Sequence, residues 1–148
     1  MSTIETFTVK QALQLTDFKT PYMLDYLHRT GIVRPSRSAT PGRGRRRLYT
    51  FPDLVLLRSV NHLLRRGLPV RKLKLAIETM RKKFRDIPLD GHVGADRYVL
   101  TNGTDAYLVD GEAKIFDLTK NGQMAFVFML DVETIRNEVT EEIAKLKA

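Results

Sequence analysis

The stretch IVRPSRSATPGRGRRRLYT (32–50) is where residue types most directly imply a chemistry: Arg34, Arg37, Arg43, Arg45, Arg46 and Arg47 fall within it, with no acidic residue among them. Guanidiniums this close repel one another, and a phosphate backbone relieves that repulsion while accepting their planar arrays of donors. Other chemistries find less support. The chain has no cysteine, which excludes disulfides, thiolate catalysis and thiolate-held metals. His28, His62 and His92 show no metal-ligand spacing. Asp105, Asp110, Glu112 and Asp117 lie in or beside turns, where Asp is expected for backbone reasons, and no His or Lys constellation accompanies them. The expectation is therefore a binding protein without cofactor or metal, and not an enzyme.

The elements that must carry the arginines can be read from capping and periodicity. Thr8 and Gln11 fit a capping box, followed by Val9, Ala12, Leu13 and Leu15 as the apolar side of a short first helix. After Thr16-Asp17-Phe18, Thr20 is the expected cap of a second helix with Pro21 at its first position and Gly31 as its stop. On that helix Leu24 and Leu27 face one way, while Tyr22, Asp25, Tyr26 and Arg29 share the other face. Two short helices so joined read as a helix-turn-helix. Ile32-Val33 and Leu48-Tyr49 flank the arginine stretch as short β-prone runs, giving a two-stranded wing, with a solvated loop as the alternative. Thr50 and Asp53 cap a third helix whose buried stripe is Leu54, Leu57, Val60, Leu63 and Leu64, ending at Gly67. A further helix begins near Pro69 with Val70, Leu73, Ile77, Met80 and Phe84 in heptad spacing. That spacing suits either the core or a dimer contact, and the core is the expected use.

A chain of 148 residues has room for one ordinary domain or two small ones, since single cores take about 100–150 residues. Charge divides it. Residues 1–87 carry 19 basic and 6 acidic side chains, net +13, whereas residues 88–148 carry 6 and 11, net −5. The first part attracts polyanions, and the second cannot be a nucleic-acid surface. The break falls at RDIPLDGHVGAD (85–96), so the expected units are 1–87 and 88–148. The longest apolar run, MAFVFML (124–130), is far short of the roughly 20 residues that span a bilayer, and no leader pattern opens the chain. A cytoplasmic, nucleoid-associated bacterial protein with no membrane partner is the expectation.

Three separated segments, YLHRTGIVRPSR (26–37), RRLYTFPD (46–53) and LLRRGLPVRKLK (63–74), occur in an order and at intervals that resemble the MerR-like winged-helix DNA-binding domain over about residues 7–84. The resemblance implies binding to double-stranded DNA, with the second helix in a major groove and the wing on the adjacent backbone or minor groove. It points to Lys19, Thr20, Tyr22, Tyr26 and Arg29 around the second helix, and to Arg43, Arg45, Arg46, Arg47 and Tyr49 on the wing. This chain departs from many members of that family in having Asp25 and Leu27 where an Arg and a second Tyr are found. Asp25 can accept from a cytosine amino group or pair with Arg29 one turn on, and the second is the expectation. His28 receives no role.

The acidic part reads as strands: RYVLT (97–101), an Asn-Gly turn, AYLV (106–109), an Asp-Gly turn, KIFDL (114–118) and QMAFVFML (123–130). Such turns between apolar runs imply a four-stranded antiparallel meander. Asp131 then caps a last helix with Val132, Ile135, Val139, Ile143 and Leu146 on one face. The whole is thus α+β, a winged helix-turn-helix followed by a small meander and a C-terminal helix. About 50 residues so arranged bury a thin core, which favours packing on the first unit or on a second copy. Phe126, Phe128 and Met129 read as core or dimer strand, with a small apolar effector pocket as the alternative. The leading expectation is a homodimeric, sequence-specific regulator of transcription. The alternative is a DNA-binding antitoxin or phage-type accessory factor whose acidic unit binds a protein partner.

Overall fold

The computed structural model describes residues 5–35, 37–38, 47–74, 77–78, 97–101, 106–110 and 128–148. Helix α1 (Val9–Thr16) opens on the expected capping box: Gln11 N–H donates to Thr8 Oγ1 at 3.2 Å, and Thr8 N–H donates to Gln11 Oε1 at 2.9 Å. It ends at Asp17, which takes the left-handed conformation (φ 63°) that Asp tolerates better than most residues. The turn after it is held from α3 (Phe51–Arg65), where Asn61 Nδ2 donates to the carbonyls of Thr16 (2.8 Å) and Asp17 (2.9 Å), and Arg65 pairs with the Asp17 carboxylate.

Helix α2 spans Tyr22–Thr30, with Pro21 at the cap position and Asp25 N–H making the first helical bond to Pro21 O at 2.9 Å. Thr20 is therefore one residue too early to cap it, and that expectation is corrected. Gly31 (φ +76°) stops the helix as expected, and any side chain there would also crowd the Arg34 guanidinium, 3.3 Å from where a Cβ would lie. Val33 N–H then returns to Leu27 O at 3.2 Å, turning the chain toward the hairpin.

Strands β1 (Arg37–Ser38) and β2 (Arg47–Leu48) pair antiparallel, Arg37 opposite Leu48 and Ser38 opposite Arg47. Just beyond β2, Tyr49 exchanges two 2.8 Å backbone hydrogen bonds with Phe7, so the base of the hairpin is tied to the segment entering α1. Thr50 N–H donates to Asp53 Oδ2 at 2.9 Å, opening α3. Helix α3 closes by bonds from Gly67 N–H to Leu64 O and from Leu68 N–H to Leu63 O, with Gly67 at φ +99°. The helix expected from Pro69 begins as a 3₁₀ turn (Val70–Lys72), and its Leu73 and Ile77 are fully buried in the core. Met80 and Phe84 lie outside the described residues.

In the acidic part, β3 (Arg97–Thr101), β4 (Ala106–Asp110) and β5 (Phe128–Asp131) form an antiparallel sheet in the order β4-β3-β5. Strands β3 and β4 pair antiparallel as expected, Thr101 opposite Ala106; the Asn-Gly turn expected between them lies outside the described residues. A meander is not the arrangement: the last strand lies beside the first, with Leu100 opposite Met129. KIFDL (114–118) lies outside the described residues. The physical reason lies in the helix that continues from β5. Asp131 accepts from Thr134 N–H at 3.2 Å and starts helix α4 (Val132–Lys147), which packs against α1, α3, β3 and β5. Turn residues specify only neighbours in sequence, whereas β5 is drawn to the helices by Leu130 and by Arg66, which donates to the carbonyl of Met129.

One buried cluster joins the two parts. Leu15, Leu24, Leu27, Tyr49, Leu54, Leu57, Val60, Leu63, Leu73 and Ile77 share it with Leu130, Val132, Ile135 and Val139. Each such side chain contributes about 1.5–3 kcal/mol by leaving water, so the helices are held more by α4 and by one another than by their own propensities. Among the described residues, no helix is long and apolar enough to cross a membrane.

Candidate nucleic-acid interface

Leu24 and Leu27 anchor α2 by complete burial, which fixes what its opposite face presents. Tyr22, 68% exposed, and the exposed Arg29 project outward, and the exposed Lys19 and Thr20 lie in the turn leading into the helix. Tyr26 is half-buried and packs against the core. The base of the hairpin reaches the same face: Arg47 Nη2 donates to Asp25 Oδ1 at 2.5 Å. Tyr22, Asp25, His28, Arg29 and Arg47 together line an open depression of about 390 Å³.

This pairing corrects the expectation that Asp25 bonds Arg29. A guanidinium projecting from an adjacent strand can lie flat on the helix, whereas an i, i+4 partner must stretch along its own surface. Sequence reasoning misses the pairing because the signal is long-range; an acidic residue isolated on the outward face of a strongly basic segment is its only trace. Burial, helped by the charges of Arg47 and Arg34, lowers the pKa of His28 despite Asp25, which leaves the imidazole neutral near pH 7.

Tyr49 is also corrected. Its side chain is fully buried in the core, so it cannot touch a ligand on the surface. Burial raises the pKa of its phenol, and Arg47 beside it offsets only part of that shift. Tyr49 instead holds the hairpin base in place. Arg43, Arg45 and Arg46 lie outside the described residues.

A second polar cluster ties the last turn of α1 to α3 and α4. Arg58 donates from Nε to Glu138 Oε2 (2.9 Å) and from Nη1 to Leu15 O (2.9 Å), and His62 Nε2 lies 3.2 Å from the same carboxylate oxygen. Burial alone would push the Glu138 pKa up; the hydrogen bonds and charges of Arg58 and His62 outweigh it, so the carboxyl is held below its ordinary value. Among the described residues, no group of three or more His, Asp or Glu side chains could hold a metal ion.

Two helices joined by a braced turn, the second presenting Tyr and Arg beside a hairpin base, define a helix-turn-helix domain. Residues 7–79 match the model of the MerR HTH family regulatory protein, and this part of the chain belongs to that family. HTH-type transcriptional regulators of Mycobacterium bovis and of the CDC 1551 and H37Rv strains of Mycobacterium tuberculosis are each 31% identical to it over 122 residues, 82% of this chain. The chain spans about half the length of these curated relatives (50%).

Proposed function

We propose that this chain binds double-stranded DNA sequence-specifically, as a homodimeric regulator of transcription. Helix α2 enters a major groove, and the arginine-rich hairpin follows the neighbouring backbone. The observation that carries this reading is the juxtaposition on one face of Tyr22, Arg29 and the base of the hairpin, within a part of the chain whose net charge is +13. Lys19, Thr20 and the exposed edge of Tyr26 flank that face, and Arg43, Arg45 and Arg46 supply charge from the hairpin. Most of these groups position the protein on phosphates; sequence is read by the few that reach base edges. Residues 88–148 supply the dimer contact or receive an effector or protein partner. The relatives' names, which describe transcriptional regulators, agree with this reading.

The test is selection of bound duplexes from a random pool, followed by fluorescence anisotropy of the selected and a scrambled duplex across a salt series. Two half-sites about one or more helical turns apart, bound at least about a thousandfold tighter than scrambled DNA, are the expected result. Equal and steeply salt-dependent binding to both duplexes would refute specific recognition.

A further inference from the structure

Asp25 places a carboxylate on the very surface that this reading lays against a polyanion, where it opposes binding to any sequence. Its side chain is 45% exposed, and Arg47, itself 26% exposed, holds Oδ1 at 2.5 Å. One oxygen is thereby fixed, which also fixes the direction of the other. Among the described residues, Arg47 is the hydrogen-bonding partner that the carboxylate has. Among the described residues Oδ2 makes no hydrogen bond, and as a carboxylate oxygen it can only accept; Asp25 lies along the same depression as Tyr22, one turn before it, and Arg29, one turn after.

We infer that Asp25 is a base-reading residue that accepts a hydrogen bond from the exocyclic amino group of a cytosine, with Arg47 as the positioning residue that aims it. This rests on the proposed seating of α2 in the major groove. Of the four bases, cytosine offers there a lone amino donor, while guanine and thymine present acceptors that a carboxylate repels, and the amino group of adenine adjoins the N7 acceptor. The charge that weakens binding to every duplex is recovered at one base pair, which makes Asp25 an element of discrimination. An Asp serving merely to anchor the hairpin would need only its Oδ1, and a neutral acceptor would do the same work.

That difference sets the experiment. Duplexes are selected from one random pool with the wild-type chain and with Asp25→Asn, which retains an acceptor for Arg47 but adds an amide donor. Each position of the wild-type site is then substituted in turn and measured by anisotropy. The expected result is one position per half-site where the wild type prefers cytosine by about tenfold or more, in line with a good direct contact. Asp25→Asn loses that preference while every other position keeps its own, and it binds scrambled DNA more tightly. Asp25→Ala does the same, with circular dichroism verifying the fold, and Arg47→Ala blurs the same position. A consensus unchanged by Asp25→Asn at every position would overturn the assignment and leave α2 in the groove. The absence of any wild-type consensus would overturn the DNA reading itself.

Discussion

Replacing Glu138 by Gln tests whether the acidic part is a structural partner of the helix-turn-helix. Glu138 lies on α4, and its Oε2 meets both Arg58 and His62 of α3, while Arg58 also holds the last turn of α1 through Leu15 O. Gln keeps one acceptor oxygen but removes the charge. Hydrogen bonds to charged groups contribute about 1.5–3 kcal/mol, and with Glu138 about a quarter exposed, a loss of about 1–2 kcal/mol is expected. For a chain of this size that lowers the melting temperature by about 2–8 °C. The pH dependence gives a second reading. Because the folded carboxyl has a lowered pKa, the unfolded chain takes up this proton first as pH falls. The stabilisation is therefore complete above the ordinary Glu value of about 4.3, erodes as pH falls from there through the lowered folded value, and is absent below it. Melts of wild type and E138Q followed by circular dichroism should differ at pH 7 and converge toward pH 4 and below. Equal melting at pH 7, or a gap that persists undiminished in acid, would refute the reasoning.

Other consequences are as direct. Ile135→Ala, at a side chain 2% exposed, should cost about 2–4 kcal/mol and lower a single melting transition of the whole chain; two transitions, of which one moves, would show that the halves fold separately. Tyr49→Phe should leave DNA affinity unchanged and stability within about 1 kcal/mol, because the phenol is interior; a selective loss of binding in anisotropy would return Tyr49 to the interface. On the proposed function, Arg45→Ala should lower the salt slope of binding by about 0.9, the value of one phosphate contact. Arg47→Ala should lower it by less, since Arg47 already has Asp25 as its counter-charge. Equal slopes for the two variants would put Arg47 on the phosphates.

The helix-turn-helix is legible in the sequence because its determinants are local. The capping box of Thr8 and Gln11, the stop at Gly31 and the burial of Leu54, Leu57, Val60 and Leu63 on α3 each depend on residues within a turn or two of one another, although Leu64 is only partly buried and Val55 and Leu56 are buried as well. The same holds for the antiparallel pairing of β3 and β4, which follow one another in the chain. What is not legible depends on residues far apart in the chain. The seating of β5 beside β3 is decided by Leu130 and by the contacts of α4 with α1 and α3, which no turn signal encodes. Tyr49 stands in an arginine-rich stretch and is coloured by that company, yet its backbone pairing with Phe7 turns the ring inward. Asp25 and Arg47 are 22 positions apart, and only the hairpin's return alongside α2 brings them together. Composition thus locates the charged surface, but which of its charges are free to meet a ligand is settled by tertiary pairing. That distinction separates Arg29, exposed on α2, from Arg47, whose guanidinium is committed to a carboxylate on the same face. On the proposed function, counting arginines therefore overstates the phosphate contacts of the domain. A residue that lowers the count, Asp25, can be the one that reads the sequence.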